Sequence, residues 1–202
     1  MREAGSAMQT PYQHIARFYD ALYAAKGRDP NAEVDCLAQY WNDDGLGSGQ
    51  RSILDAACGT GVHLAALGTH GRVEGLDRSR DMLLVARRNH PDVLVHEGDL
   101  ETFVLNRQFN VVTCLFGAAG YLPNRAALRR AIATMGAHVA PGGVLLIEPP
   151  VFGEQFQAPK KQRIEAPFEN GVLIRESDAR LEGSTLEIDF DWRELDAGHS
   201  EG

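Results

Sequence analysis

Glycine and aspartate residues that close two neighbouring apolar segments are the residues of this sequence best suited to bind a nucleotide. Gly59 and Gly61 follow the segment that ends at Asp55 and Ala56. Glycine lets the backbone turn with positive φ and lets a ligand approach the main chain closely. Asp77 ends the next apolar segment, where a carboxylate can accept both hydroxyls of a ribose. The spacing therefore predicts that the glycine turn and the aspartate bind the same nucleotide.

A dinucleotide-dependent dehydrogenase is the alternative that such a glycine turn raises. Its fingerprint needs a third glycine three residues after the second, and this chain has Leu64 at that position. The sequence therefore argues against a dinucleotide-dependent oxidoreductase.

Short apolar segments alternate with helical patterns through the middle of the chain, and these elements must position the turn and the aspartates. We expect strands at residues 52–56, 73–76, 93–96, 111–115 and 144–148, and helices after Gly61, at 80–89 and after Asn124. Asn124 can cap the last of these helices, and residues 141–143 turn that helix into the final strand. Its predicted apolar face is Leu128, Ile132, Met135 and Val139. Strand and helix alternation forces parallel pairing, so the fold class is α/β.

The two ends of the chain carry different patterns. Over residues 11–41 the apolar residues recur every three to four positions, which predicts two helices broken near residues 26–30. Residues 171–181 and 184–192 alternate as two antiparallel strands, with Glu182 and Gly183 as the turn. We therefore predict a helical cap at 1–50, a ligand-binding core at 51–150 and an antiparallel addition at 151–202.

Composition bounds the class of protein and its partners. The chain has 202 residues, a length typical of one domain. Its net charge is -8, so it lacks the positive charge that attracts nucleic acid. It contains no apolar stretch long enough to span a bilayer, and its first residues do not form a signal peptide. Cys36, Cys58 and Cys114 lack metal-binding spacing and indicate reduced thiols. We expect a cytoplasmic protein with no nucleic-acid partner, no membrane partner and no metal.

A series of motifs resembles the class I S-adenosylmethionine-dependent methyltransferases in order and spacing. The motifs are LDAACGTG (54–61), VEGLDRS (73–79), HEGDL (96–100), FNVVTCLFGAAGYL (109–122) and PGGVLLIEP (141–149). The resemblance implies a Rossmann-like parallel sheet flanked by helices, with S-adenosylmethionine as cofactor and S-adenosylhomocysteine as product. It also implies a further helix and a closing hairpin, so we expect that the 202 residues are part of a longer chain.

The same resemblance assigns cofactor contacts residue by residue. Asp55 would organise the glycine turn, or would instead serve the structure alone, while Ala56 and Gly59 would offer backbone atoms to the methionine portion. Asp77 would hold the ribose, and Asp99 would accept a hydrogen bond from the adenine amino group. The other candidates for the cofactor site are Tyr19, Lys26, Gly61, Arg78, Met82, Gly98, Leu100, Leu115 and Phe116.

A narrower resemblance lies in three segments, YDALYAAKGRD (19–29), CLFGAAGYL (114–122) and EPPVF (148–152). They are similar to the bacterial nucleotide-sugar N,N-dimethyltransferases, which methylate the amine of a TDP-linked amino sugar in antibiotic biosynthesis. This resemblance implies a TDP-amino sugar as acceptor. The absence of the Asn/Asp-Pro-Pro-Tyr type motif, which nucleic-acid and protein amino-group methyltransferases carry, also favours a small-molecule acceptor.

The acceptor side of the site has its own candidates. Tyr23 and Tyr121 could form phenol hydrogen bonds to an amine or to sugar hydroxyls, and His14 lies on a predicted helix that could close the site. The candidates for the cofactor carboxylate and the substrate phosphates are Lys26, Arg28, Lys160, Lys161 and Arg163.

The antiparallel addition predicts a homodimer, because exposed apolar sheet surface usually marks an interface. Its apolar residues are Ile164, Phe168, Val172, Ile174, Leu186, Ile188 and Phe190. Two alternatives to a small-molecule N-methyltransferase stay open: an O-methyltransferase that acts on a small molecule, and a protein that binds the cofactor without catalysis.

Overall fold

The computed structural model describes residues 16–41, 50–149, 160–169, 171–182 and 185–196. The strands are β1 (Ser52–Ala56), β2 (Arg72–Asp77), β3 (Leu94–Glu97), β4 (Phe109–Cys114), β5 (Val139–Ile147), β6 (Lys160–Phe168), β7 (Gly171–Glu182) and β8 (Thr185–Asp196). The helices are α1 (Tyr19–Ala25), α2 (Pro30–Ala38), α3 (Leu64–Gly68), α4 (Arg80–Asn89) and α5 (Arg125–Ala137). Two short 3-10 helices cover Ala16–Phe18 and Ala118–Tyr121.

The first sheet has five parallel strands in the order β3-β2-β1-β4-β5. In the middle of the sheet Ile53 pairs with Val73 on one side and with Val111 on the other. The predicted Rossmann-like α/β core is therefore confirmed. Because all five strands run the same way, Asp55, Asp77 and the residues after Cys114 lie at one edge of the sheet.

The core lies on both faces of this sheet, since successive strand residues point to opposite sides. Leu54 of β1 belongs to a cluster that α5 covers through Met135. Its neighbour Ile53 belongs to a cluster on the other face, to which α2 contributes Val34. The second predicted N-terminal helix is therefore part of the core layer beside α3.

Local capping signals fix the helix starts. The Ser79 side chain accepts a hydrogen bond from Met82 N at the start of α4, and Asn124 accepts from Ala127 N at the start of α5. The predicted apolar face of α5 is wrong in part, because Ile132 is 41% exposed. The residues that α5 buries fully are Ala127, Ala131 and Met135, and Val139 already belongs to β5.

Residues 141–143 form an irregularity inside β5 rather than the predicted turn before it. Phe109 pairs with Val139 and Val111 pairs with Val144, so five steps along β5 correspond to two steps along β4. Gly142 has φ +78. The extra residues are accommodated as a bulge, which increases the local twist of the edge strand.

The second sheet has three antiparallel strands in the order β6-β7-β8. The predicted hairpin corresponds to β7 and β8, whereas β6 was not predicted as a strand. Its residues are mostly charged or polar, and Pro167 weakens a strand pattern, although an edge strand tolerates proline. The antiparallel addition is therefore a three-stranded sheet.

Helix α1 packs against this second sheet. Phe18 and Leu22 are buried with Ala166 and Leu173, and the rings of Phe18 and Phe168 lie 4.7 Å apart. Part of the apolar sheet surface that predicted a dimer is thus covered by the chain's own helix. Within the described residues there is no helix long and apolar enough to cross a membrane.

Candidate active site

A cavity of about 430 Å³ opens at the carboxyl ends of β1, β2 and β4. This is the edge at which open α/β sheets bind their ligands, and the volume suits a nucleotide-sized molecule. The predicted residues that line it are Tyr19, Tyr23, Lys26, Arg28, Asp55, Gly59, Asp77, Arg78, Met82, Gly98, Asp99, Leu100, Leu115, Phe116 and Tyr121. The structure therefore collects residues from both predicted halves of the site around one cavity.

The glycine turn joins β1 to α3 through residues with positive φ. Gly59 and Gly61 have φ +57 and +87, and Ala57, which the sequence did not single out, has φ +64. Cys58 N donates to Leu76 O at 2.9 Å, which ties the turn to the end of β2. The turn is thus held against the strand that carries Asp77.

Two residues of the predicted turn do not line the cavity. Ala56 is completely buried in the core beside Leu54 and Leu76, and Ala57 lines the cavity instead. A Cβ at Gly61 would lie 2.8 Å from the His90 ring, so this glycine is needed for packing. His14 lies outside the described residues.

Asp77 ends β2 with its carboxylate directed to the turn. Its Oδ2 accepts from Gly59 N at 2.9 Å and its Oδ1 accepts from Ser79 N at 2.8 Å. Burial raises the pKa of Asp77 above its ordinary value, although these backbone N–H groups act in the opposite direction. Each carboxylate oxygen can accept a second hydrogen bond, which is what a ribose diol needs.

Asp55 is the most buried carboxylate of the cavity. Its Oδ1 accepts from Thr113 Oγ1 at 2.8 Å, whereas its Oδ2 has no hydrogen-bond partner among the described residues. Burial raises the pKa of Asp55, and the nearby His63 lowers it. A buried acceptor without a partner is costly, so this atom fits a ligand group that donates, such as an ammonium.

The far end of the cavity contains the residues predicted for adenine. Asp99 Oδ1 accepts from Glu101 N at 2.8 Å, and Arg78 Nη1 lies 3.9 Å from Asp99 Oδ2. Met82 is 4% exposed and belongs to a cluster with Ala16 and Val85. Met82 therefore lies between the buried side of α4 and the cavity, and it contributes to both.

A polar network below Tyr23 was not predicted. The Tyr23 hydroxyl donates to Glu33 Oε2 at 2.5 Å, and His63 Nε2 lies 2.9 Å from both groups. Arg28 also forms an ion pair with Glu33. Burial and the bond to Glu33 raise the pKa of Tyr23, while Arg28, Tyr23 and His63 hold the pKa of Glu33 below its ordinary value against the effect of burial. The Tyr23 hydroxyl is therefore held inside this buried network, and the tyrosine contributes to the cavity wall.

Lys26 and Arg28 both lie over the ring of Phe116. The distances from Lys26 Nζ and Arg28 Cζ to the ring centroid are 4.7 and 4.8 Å. Burial, Arg175 and Arg28 lower the pKa of Lys26 to about 8. An anion bound here would relieve the repulsion among these cations, which suits the predicted role in binding a carboxylate or a phosphate.

The basic group predicted on the second sheet lies elsewhere. Lys161 pairs with Asp178 at 3.7 Å, and Arg163 pairs with Glu165 and Glu176. Both project from the sheet face opposite the one that packs on α1, because the inward residues of β6 alternate with them. Lys161 and Arg163 do not line this cavity, and their binding of substrate phosphates stays a prediction. The side chain of Lys160 lies outside the described residues.

Among the described residues there is no group of three or more His, Cys, Asp or Glu side chains arranged to hold a metal ion. The cavity instead combines buried carboxylates at the sheet edge with aromatic and cationic side chains from α1 and the residues after it. Such a site can hold a nucleoside at one end and a second polar molecule at the other.

Comparison with known proteins agrees with this geometry. Residues 53–143 match the family model described as a methyltransferase domain. The chain is 43% identical over 143 residues to the dTDP-3-amino-3,6-dideoxy-alpha-D-glucopyranose N,N-dimethyltransferase of Streptomyces fradiae, covering 70% of this chain and 55% of that protein. It is 39% identical over 171 residues to the dTDP-4-amino-2,3,4,6-tetradeoxy-D-glucose N,N-dimethyltransferase of Saccharopolyspora spinosa, covering 84% of this chain and 68% of that protein.

A solved structure shows the same architecture. SAM-bound CalS10 of Micromonospora echinaspora, an amino pentose methyltransferase involved in calicheamicin biosynthesis, matches with a TM-score of 0.73 and 30% identity. The match covers 96% of this chain and 85% of that chain. The chain thus spans 55% to 68% of the two curated relatives and most of the solved structure.

Proposed function

The chain belongs to the class I S-adenosylmethionine-dependent methyltransferases, and we propose that it methylates the amino group of a nucleotide-linked deoxysugar. The observation that carries the proposal is the pairing of a carboxylate-lined pocket with a tyrosine and cation wall around one cavity. The printed substrates of the two curated relatives, both dTDP-linked amino sugars, support the choice of acceptor.

The residues present fit S-adenosylmethionine, the cofactor of this family. Asp77 suits the ribose hydroxyls, and the unpartnered Oδ2 of Asp55 suits the ammonium of the methionine portion. Asp99 and Leu100 lie beyond Asp77, at the end that would receive adenine. When bound, the cofactor supplies a methyl group that is already activated on a sulfonium.

The protein contributes mainly by holding the acceptor nitrogen in line with the bond that breaks. Orientation of this kind can lower a barrier by up to ~7–11 kcal/mol. Tyr23, Phe116 and Tyr121 form walls around that space, and the contacts with Glu33 and His63 hold Tyr23 in place there. The acceptor must lose its ammonium proton before attack, so we expect the rate to rise with pH through the acceptor's own pKa.

The test is an activity screen with matched acceptors. Purified protein is incubated with S-adenosylmethionine and either a TDP-amino sugar or TDP-glucose, which has a hydroxyl in place of the amine. Mass spectrometry that finds methylated amino sugar, with one S-adenosylhomocysteine formed for each methyl group transferred, would support the proposal. Methylated TDP-glucose would favour oxygen transfer, and cofactor binding by calorimetry without any product would favour a non-catalytic binding protein.

We also propose a homodimer formed through the second sheet. Residues paired directly across β7 and β8 point to the same side, and this places Phe190 and Ile188 beyond the part that α1 covers. Ile188 is 43% exposed, which supports an apolar contact surface. Light scattering that reports a monomer at every concentration would contradict this assembly.

A cytoplasmic location is proposed as well. Cys36, Cys58 and Cys114 are free thiols, which suits a reducing compartment. Fractionation of the producing cells, with antibody detection of the protein, tests this location directly.

A further inference from the structure

Phe116 forms part of the cavity wall in a backbone conformation that needs support. Its φ is +56, in the left-handed region that a bulky side chain rarely adopts, and Gly117 continues with φ +65. Such a conformation persists only where the surrounding structure holds it. The centre of the Phe116 ring lies 4.8 Å from that of the Tyr23 ring, and Lys26 and Arg28 lie over the Phe116 ring. A shift of Phe116 would therefore displace all three neighbouring side chains.

Glu148 supplies that support from the residue that follows β5. Its Oε2 accepts a hydrogen bond from Phe116 N at 2.6 Å, which is a short bond to an ionised acceptor. Its own backbone N donates to Cys114 O at 2.9 Å. The residue thus joins the end of β5 to the end of β4 through both its main chain and its side chain.

The same carboxylate reaches the segment after α1. Arg28 Nη2 lies 3.4 Å from Glu148 Oε2, and Arg28 forms a second ion pair with Glu33 of α2. Glu33 in turn holds Tyr23. A continuous chain of polar contacts therefore runs from the Phe116 backbone to Tyr23, which lines the cavity.

We propose that Glu148 is a positioning residue, which fixes the Phe116 wall through its backbone N–H and fixes the Tyr23 side of the cavity through Arg28. It acts on the reaction through these neighbours rather than as a base. The effect on turnover rests on the proposed function above, whereas the effect on the Phe116 backbone does not.

The experiment compares Glu148→Gln with Glu148→Ala, because glutamine still accepts from Phe116 N–H but loses the charge that attracts Arg28. In Glu148→Ala we expect exchange of the Phe116 amide hydrogen, followed by NMR, to become about tenfold faster or more. In Glu148→Gln we expect parental exchange at Phe116 and parental kcat, with a KM for the acceptor that is raised, but by less than in Arg28→Gln, because Arg28 also pairs with Glu33. The double variant Arg28→Gln/Glu148→Gln should be no worse than Arg28→Gln alone, because Glu148 acts on KM only through Arg28.

Glu176→Ala is the matched control. The Glu176 side chain is 40% exposed against 36% for Glu148, and it also bridges two arginines, Arg163 and Arg193, but on the outer face of the second sheet. Glu176→Ala should leave both the exchange rate of the Phe116 amide and the KM for the acceptor unchanged.

Two results would overturn the proposal. Parental exchange at Phe116 in folded Glu148→Ala would show that the carboxylate does not hold the wall. Loss of kcat in Glu148→Gln with unaltered Phe116 exchange would show that Glu148 acts directly on the acceptor. If Glu148→Ala does not fold, additive losses in the double glutamine variant overturn the Arg28 link. If no amino sugar is methylated by the parent protein, the proposed function fails while the exchange measurement still decides the positioning role.

Discussion

Replacement of Asp77 by alanine tests the part of the site on which the cofactor assignment depends. The carboxylate already accepts from Gly59 N at 2.9 Å and Ser79 N at 2.8 Å, and each oxygen keeps a lone pair for a ribose hydroxyl. A hydrogen bond to a charged group contributes about 1.5–3 kcal/mol. We therefore expect Asp77→Ala to raise the dissociation constant of S-adenosylmethionine about 10- to 150-fold.

The structure adds a second expected effect of the same change. Alanine leaves the Gly59 and Ser79 N–H groups without their acceptor, and an unsatisfied buried donor costs about 1–3 kcal/mol. Asp77→Asn keeps one oxygen acceptor and removes the charge, so its affinity should lie between those of the parent and Asp77→Ala. Because burial raises the pKa of Asp77, parental affinity should begin to fall, as the pH is lowered, above the ordinary carboxylate value of 3.8.

Isothermal titration calorimetry with S-adenosylmethionine and S-adenosylhomocysteine measures these affinities without an acceptor. Glu97→Ala is the control, because Glu97 pairs with Asp77 in register on β3 but forms its ion pair with Arg80 at the surface. It should bind like the parent. Parental affinity in Asp77→Ala that circular dichroism shows to be folded would refute the assignment of this carboxylate to the ribose.

Three further predictions concern buried groups around the cavity. Asp55→Asn should raise the melting temperature near neutral pH, because burial raises the folded-state pKa of Asp55 and so disfavours its charged form. This gain in stability should vanish as the pH falls below 3.8, where the carboxyl is protonated in both the folded and the unfolded state. The same variant should bind the cofactor more weakly, because it removes the carboxylate charge. Tyr23→Phe should lower kcat/KM with a TDP-amino sugar by up to about tenfold, and the more exposed Tyr121→Phe by less; unchanged kcat and KM in both would leave orientation alone to explain the rate. Iodoacetamide at neutral pH should label exposed Cys36 well before Cys58, whose thiol pKa burial raises, and peptide mass spectrometry showing the reverse order would contradict that burial.

The parts of the fold that the sequence predicted are those with short-range signals. The bounds of β1 and α4 agree with the expected 52–56 and 80–89, because an apolar run and a helical pattern are local features. The start of α5 at Asn124 follows for the same reason. The errors occur where long-range packing decides, as in β6, which becomes a strand by pairing with β7.

The cofactor half and the acceptor half of the cavity differ in the same way. Asp55, Asp77 and Leu115 each follow a strand directly, so parallel pairing alone brings them to one edge. The other half depends on contacts between distant residues, since Tyr23 and His63 are 40 positions apart and Arg28 and Glu148 are 120 apart. The sequence around Glu33 or Glu148 does not indicate which residue each carboxylate will contact. The residues that shape acceptor recognition therefore become visible only when α1, α2 and β5 are packed around the same cavity.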